Sequence, residues 1–512
     1  MSSNAWQLNV REHRRALLTY GPELTGGEMA NVDFTEENIR RIFGHEAAED
    51  EDEARLREYY LKSSTYEQVT ADLPIRILVG HKGVGKSALF QVAIADDEQA
   101  NRLSIVIQPD DIADLAEDPN DFLKTVRAWK TGLSELLARK ALTGLGASGD
   151  TAPDVLKKWG GRLTEFVLST VRDPKYVSLD PAKDAIKSKF LQSAQMSVYI
   201  DDLDRGWQGR KQDITRISAL LNAVRDISNE NKNIRFRLAL RTDVYFLVRT
   251  SDESTDKIEG SVVWQRWTPQ EIFALLALRI DTYLGREVDR STYLKSPQSY
   301  LSHSLDQVFE PHFSGAGHWR GAPTHRVLMS LIRKRPRDVV KLCTLAARDA
   351  KVHGNDKILS SNLKNVFEEY SQGRMQDTIN EYRTELPDIQ RLLFGMKPSK
   401  KEKTAKEGYT YETAKLLSKI KSIQEQGSFK FATGRLASPA ELAAFLYKIN
   451  FITARRDVGE FIDRKYFEES RYLQASAVEF GYDWEVHPAY RWALQPENIG
   501  GVMDQLKLSS TD

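Results

Sequence analysis

The sequence predicts an α/β chain: a parallel sheet of about five strands flanked by helices, followed by a largely helical region. Three observations carry this. From residue 71, apolar runs of strand length alternate with helix-length segments. The first run, IRILVG (75–80), is almost continuously apolar, as a strand buried on both faces must be. That run ends in the glycine-rich loop GHKGVGKS, which leads directly into a helix-like segment.

The elements follow in order. Residues 1 to about 30 carry little pattern. DFTEENIRRIFG predicts a short helix with Thr35 as cap and Glu36 and Glu37 in its first turn. HEAAEDEDEARLREYYLKSSTYEQV reads as an acidic helix with a solvated face, followed by a tyrosine-bearing segment. The strands are IRILVG, LSIVIQ (103–108), MSVYID (196–201), IRFRLALR (234–241) and SVVW (261–264). Between the second and third lies a long insertion, at about 112–190. There Phe122, Val126, Trp129, Leu133 and Leu137 recur at helical spacing and predict a core stripe. LTGLGASGDTAPD (142–154) reads as a loop. Downstream, Thr268, Pro269 and Glu271 form a helix-opening capping box, and Pro336 opens another helix. MKPSKKEKTAKEG (396–408) is polar and lysine-rich and reads as a linker. The last hundred residues read as a small unit of their own, with a helix capped by Ser438 and a closing strand-to-helix run, YDWEVHPAYRWAL. The expected domains are 1–70, 71–267, 268–395 and 409–512.

Composition excludes several classes. The chain has 512 residues, 41% hydrophobic and 29% charged, which fits a globular protein rather than a disordered one. Lys+Arg and Asp+Glu are both 73, so no global field favours nucleic acid or membrane. No run approaches the roughly 18 apolar residues of a membrane span, and the first residues carry no signal-peptide core. Cys343 is the single cysteine, which excludes an internal disulfide and a cysteine-cluster metal site and fits a reducing cytoplasm. The nine histidines show no metal-ligand spacing.

The loop from Gly80 to Ser87 has the spacing G-x-x-x-x-G-K-S of a Walker A phosphate loop. Glycines at 80, 83 and 85 permit a backbone that turns its N–H groups onto an anion, and the following helix aims its N-terminal dipole at the same place. Gly80, His81, Lys82, Gly83, Val84, Gly85, Lys86, Ser87 and Ala88 are the expected phosphate-binding residues; Lys86 would reach the β- and γ-phosphates and Ser87 would hold Mg²⁺. The alternative is a glycine-rich turn without a ligand. The third strand ends in Asp201 and Asp202, where open α/β sheets bind ligands. An apolar strand followed by two carboxylates is the Walker B arrangement, with Asp201 toward Mg²⁺ and Asp202 toward the attacking water. The alternative is a helix cap or turn.

Three arginines extend the set. Arg241 ends the next strand, where it would meet the γ-phosphate or the water; a surface salt bridge is the alternative. Arg205 suits an arginine finger toward a neighbouring subunit, or an ion pair with Asp204. Arg337, in the first turn of a helix, opposes the helix dipole and so requires an anionic partner: the γ-phosphate, or a carboxylate such as Asp338.

Taken together, FGHEAAEDEDEARLREYY, GHKGVGKSALF, VYIDDLDR, LALRTDVY, WTPQEI, RKRPRDVV and VHPAYRWAL resemble the bacterial KAP-like branch of P-loop ATPases, related to the AAA+ and STAND groups. Many members of that branch sit beside phage-defence or mobile-element genes. The resemblance covers roughly residues 35–395 and, more loosely, 409–500. It implies ATP and Mg²⁺ as cofactors, Lys86 and Ser87 at phosphate and metal, Asp201 and Asp202 at metal and catalysis, Arg241 as sensor 1 and Arg337 as sensor 2. It also implies a helical lid and a winged-helix-like tail. Two departures stand out: the insertion here is not membrane-spanning, and the second Walker B carboxylate is Asp where most AAA+ proteins carry Glu.

The expected function is ATP binding and hydrolysis by a homo-oligomeric switch or motor. The alternative is an ATP-gated scaffold that regulates an effector protein or nucleic acid with little turnover. A small-molecule kinase fits less well, because the chain is long and lacks an arginine-rich acceptor site. For nucleic acid there is a local basic run, Arg326, Arg333, Lys334, Arg335, Arg337 and Lys341, but no aromatic interleaving.

Overall fold

The structure is a computed structural model. It describes residues 32–510 except 101, 116–120, 145–146, 150–176, 180–194, 252, 287, 316, 401, 403–407, 460, 475–480, 496 and 498. The start of the chain, most of the 142–154 loop, much of the 112–190 insertion and part of the 396–408 linker lie outside the described residues.

Helix α1 (Glu36–Phe43) begins as its sequence predicts, with Thr35 Oγ1 accepting the Asn38 amide at 3.2 Å. The acidic stretch after it is not one helix. It forms a short 3₁₀ turn (Ala48–Asp50), then α2 (Glu53–Tyr59) and α3 (Ser64–Thr70). The five expected strands follow: β1 (Ile75–Gly80), β2 (Leu103–Ile107), β3 (Met196–Ile200), β4 (Ile234–Arg241) and β5 (Val262–Trp264). All pair in parallel, in the order β2-β3-β4-β1-β5. β4 therefore lies between the strand that feeds the phosphate loop and the strand that ends in the aspartates. Its register sets Gly80 opposite Arg241.

Helix α4 (Lys86–Gln99) leaves the loop. Helices α5 (Phe122–Gly144) and α6 (Lys211–Glu230) pack against each other and one face of the sheet. The expected stripe is core: Trp129, Leu133 and Leu137 are buried, with Phe122 and Val126 at its edge. After β4 comes α7 (Thr242–Ser251) and, after β5, α8 (Pro269–Tyr283). At its start the Glu271 amide donates to Thr268 Oγ1 at 3.1 Å, and the Thr268 amide donates to Glu271 Oε2 at 2.8 Å. The helical region continues through α9 (Arg290–Tyr293), α10 (Gln298–Leu305), α11 (Thr324–Leu331), α12 (Pro336–Val352), α13 (Ser360–Tyr382) and α14 (Ile389–Gly395).

The C-terminal unit has β6 (Thr410–Tyr411), α15 (Thr413–Gln424), α16 (Pro439–Lys448), β7 (Ile452–Val458), β8 (Phe461–Lys465), β9 (Asp483–Val486), α17 (Pro488–Leu494) and α18 (Ile499–Met503). Its antiparallel sheet runs β8-β7-β9-β6. Two helices followed by a β-hairpin give it a winged-helix-like form. It packs on the helical region through one continuous apolar core that also reaches α1–α3 and the second face of the central sheet. Phe367 of α13 lies 4.7 Å from Trp492 of α17, centroid to centroid, and the Ala493 amide donates to Ser371 Oγ at 2.8 Å. Among the described residues no helix is long and apolar enough to cross a membrane.

Candidate nucleotide site

At the carboxyl ends of the strands lies a cavity of about 510 Å³. It gathers Lys82, Gly83, Gly85, Lys86, Ser87 and Ala88 from the loop, Asp201, Asp202 and Arg205 from beyond β3, Arg241 from β4 and Arg337 from α12. Gly80, His81 and Val84 do not line it. His81 and Val84 face a second cavity instead, and the His81 side chain is buried there.

The loop takes its shape from glycine where the sequence requires it. Gly83 and Gly85 have φ of 79° and 88°, in the left-handed region. Gly83 also admits α12: a Cβ there would sit 3.0 Å from Arg337 Cβ. Gly85 is the N-cap of α4, whose first residue is Lys86. The Lys86 amine folds back, donating to the Gly80 and His81 carbonyls at 3.0 and 3.1 Å. Burial lowers its pKa, and Asp201, Asp204 and Glu381 oppose that shift.

The acidic side of the cavity carries strain. Asp202 has φ of 54°, unusual for a residue with a side chain. Its amide donates to Asp201 Oδ1 at 2.8 Å. Partial burial, then Asp201 and Asp204, raise the Asp202 pKa, with Arg205 opposing. Arg241 donates to both Asp243 oxygens, at 3.0 and 2.7 Å, to Asp204 at 3.1 Å and to the Glu381 carbonyl at 2.7 Å. Burial works against its charge, but Asp243, Glu381 and Asp204 outweigh it and hold the pKa above the ordinary value. Asp204 thus pairs with Arg241. Arg205 is exposed at the rim, its amide donating to the Asp202 carbonyl at 2.8 Å.

Asp338 is not the partner of Arg337. It is fully buried and engaged by Arg333 through two bonds of 2.8 Å and by Arg374 at 2.7 Å. Arg337 donates from Nε to the Glu46 carbonyl at 2.9 Å and from its amide to the Gly83 carbonyl at 3.4 Å. Among the described residues no carboxylate lies within ion-pair distance of it.

Several residues at the site carry no motif signal. The Lys82 amide donates to Glu381 Oε1 at 3.1 Å, while Arg335 bridges the Lys82 carbonyl at 3.1 Å and Glu381 Oε2 at 3.0 Å. Although burial acts the other way, Arg335, His81 and Arg241 hold the Glu381 pKa well below the usual range. The Trp267 indole donates to the Val84 carbonyl at 2.7 Å. His81 Nδ1 lies 2.6 Å from the Tyr382 hydroxyl, and His81 Nε2 contacts Glu468 of the C-terminal unit. His45, Glu46, Glu49 and Glu51 also line the nucleotide cavity, so the acidic stretch turns back over the loop rather than forming a solvated helix face. The carboxylates explain themselves only in three dimensions.

A G-x-x-x-x-G-K-S loop, two aspartates two strands away and an arginine-ended strand between them give the chain the sheet order and motif placement of a P-loop fold of the AAA+ kind. Comparison with known proteins adds four likenesses. Residues 271–379 match the family described as the FunZ-associated C-terminal helical domain. An Escherichia coli (strain K12) protein named "Putative transposon gamma-delta 80.3 kDa protein" is 19% identical over 515 residues, covering 91% of this chain and 70% of its own length. Among solved structures, the Aeropyrum pernix ORC2 protein with ADPNP and ADP is 11% identical at a TM-score of 0.39, covering 88% of this chain and 96% of that one. The A. pernix ORC1 protein in complex with DNA is 10% identical at a TM-score of 0.32, covering 87% and 95%. At such TM-scores these are likenesses of outline only.

Proposed function

We propose that the protein binds and hydrolyses ATP with Mg²⁺ and works as a nucleotide-dependent homo-oligomeric switch or motor. The observation that carries this is the convergence of Lys86, Ser87, Asp201, Asp202, Arg241 and Arg337 on one cavity. Lys82, Gly83 and the residues from Gly85 to Ala88 cradle the phosphates, with Lys86 released from its carbonyls onto the β- and γ-phosphates. Ser87 and Asp201 offer the hard oxygen donors that Mg²⁺ takes when phosphates and water complete its shell. Bound there, the ion neutralises charge on the transferring phosphoryl group. Asp202 orients the attacking water, Arg241 reads the γ-phosphate as sensor 1, and Arg337 reads it from the helical lid as sensor 2. Arg205, at the exposed rim, faces a neighbouring subunit's nucleotide. We assign the ATPase core to 71–267, the lid to 268–395 and the winged-helix-like domain to 409–512, joined by a linker at 396–408.

Membership of the KAP-like branch and service in cytoplasmic anti-phage defence rest on the resemblance in the sequence. A second reading, an ATP-gated scaffold for an effector protein or nucleic acid, is supported by the contact between Glu468 of the C-terminal unit and His81 of the phosphate loop. That contact gives a bound partner a route to the loop. The test is ATP turnover by wild type and Asp202→Asn with and without Mg²⁺. The hydrolase reading expects Mg²⁺-dependent turnover that falls about 10²–10⁴-fold in the variant. Tight binding without turnover supports the scaffold; equal turnover in both proteins moves the role away from Asp202.

A further inference from the structure

A cavity of about 860 Å³ lies outside the nucleotide site and shares one wall with it, made of Tyr59 and Arg279. Six basic side chains ring it: Arg41, Arg55, Arg57, Lys62, Arg279 and Arg290. They come from five separate segments: α1, α2, the stretch before α3, α8 and α9. Three carboxylates share the wall, Asp52, Glu58 and Asp96, and Glu51 beside it pairs with Arg55 at 3.6 Å, leaving an excess of two positive charges, six minus four. Asp96 is already taken by Lys62, by the Tyr66 hydroxyl and by Arg57 at 3.9 Å. Asp52 caps α2, accepting the Arg55 amide at 3.1 Å.

Arg41, Arg279 and Arg290 have no carboxylate within ion-pair distance among the described residues. Neutral groups hold them in place instead. Arg279 donates to the Phe43 carbonyl and lies 4.5 Å over the Tyr59 ring. Arg290 donates to the Arg57 carbonyl at 2.7 Å, and Arg41 stands 6.0 Å over the Tyr283 ring. Carbonyls and rings orient a guanidinium without cancelling its charge. Cations gathered on one concave wall repel each other, and a bound polyanion reverses that cost.

We propose that this cavity is a second ligand site, for a small polyphosphate-bearing molecule of nucleotide size. Guanidinium forks match phosphate oxygens in geometry and charge. The volume falls in the range of small-molecule sites. The charge excess suits one di- or triphosphate, and Tyr60 and Tyr283 line the same cavity. An organic nucleotide and inorganic polyphosphate share this chemistry.

The test is calorimetric titration of the full chain with tripolyphosphate and, in a parallel arm, with ADP. Lys86→Ala disables the phosphate loop; Arg41→Glu and Arg290→Glu are then added. Arg41 and Arg290 are both exposed, so the fold should survive, and melting curves check it. The proposal expects one tripolyphosphate equivalent to remain in Lys86→Ala, and its affinity to fall about a hundredfold with both reversals, given the strength of hydrogen bonds between charged groups. Arg41→Gln with Arg290→Gln should give a smaller loss in the same direction. ADP binding alongside tripolyphosphate marks a nucleotide effector; tripolyphosphate alone marks an inorganic one. No residual binding in Lys86→Ala, or binding indifferent to Arg41 and Arg290, overturns the site. So does a single-stranded oligonucleotide that displaces tripolyphosphate, since the cavity then belongs to nucleic acid. Two equivalents persisting in Lys86→Ala would fault the phosphate-loop assignment instead.

Discussion

Arg337 of α12 rests directly on Gly83 of the phosphate loop: its amide donates to the Gly83 carbonyl at 3.4 Å, and a Cβ on Gly83 would approach its own Cβ to 3.0 Å. The sequence places Arg337 on a helix outside the sheet, which suggests that the helical region must close to bring it to the phosphates. In the structure that helix already sits on the loop. Its guanidinium reaches the cavity held, among the described residues, by the Glu46 carbonyl. A γ-phosphate would give it the anionic partner that Asp338 does not.

Arg337→Ala should therefore bind ADP about as well as wild type. ATP affinity should fall roughly ten- to a hundredfold, the worth of one hydrogen bond between charged groups. Any ATP-dependent change in native mass should vanish, because a shift in assembly needs a differential interaction with the two states. Unchanged preference for ATP over ADP would make Arg337 a structural residue.

Gly83→Ala should behave differently. Its φ of 79° costs an L-residue about 1–2 kcal/mol, and the new methyl presses on Arg337. Loop and helix both shift, so ADP and ATP should lose affinity together. Thermal shifts with each nucleotide check this; a loss confined to ATP would contradict it.

Asp202→Asn should stabilise the fold at neutral pH. The folded-state pKa of Asp202 is raised by partial burial and by Asp201 and Asp204. The folded chain therefore keeps a proton that the unfolded chain releases above about pH 4. Stability falls as pH rises from that value through the raised pKa, and the loss persists at pH 7. The variant's melting temperature should exceed wild type at pH 7, and the gap should close toward pH 3. An equal or lower melting temperature at pH 7 would show that the carboxylate is not destabilised where it stands.

Asp338→Asn should be strongly destabilising. Burial opposes the charge of Asp338, but Arg333 and Arg374 hold its pKa far below the usual range. Removing it leaves two buried guanidiniums short of a partner, at a cost of about 3–5 kcal/mol. The contribution is present above the unfolded pKa, near 4, and erodes as pH falls below it. Urea midpoints at pH 7 and pH 3 test both the size and the sign; a change of under about 1 kcal/mol at pH 7 contradicts the ledger of a buried pair.

The sheet, the glycine loop after its first strand and the place of the aspartates at a strand end were legible because each depends on local pattern. A strand buried on both faces reads as an apolar run, and the glycines at 83 and 85 carry the φ values the loop needs. The caps at Thr35, Thr268 and Ser438 were equally local. What was not legible depends on contacts across the chain. Glu381 follows Lys82 by 299 positions, and Glu468 reaches His81 from the C-terminal unit. No spacing rule joins them. The acidic stretch misled for a related reason: charge on a predicted helix reads as solvated, and only the turn at Ala48–Asp50 brings Glu46 and Glu49 over the cavity. Arg205 likewise has Asp204 beside it in sequence, but β4 delivers Arg241 to that carboxylate first.

The most direct measurement is equilibrium binding of ATP with Mg²⁺ to wild type and Lys86→Ala. The half-buried Lys86 amine, held on the Gly80 and His81 carbonyls, is the cation supplied at the start of α4. The account expects one equivalent of ATP bound at the loop in wild type and loss of tight binding there in the variant, with the melting curve of the nucleotide-free protein little changed. Equal ATP affinity in the two proteins would contradict it and remove the phosphate-loop assignment on which every other role depends.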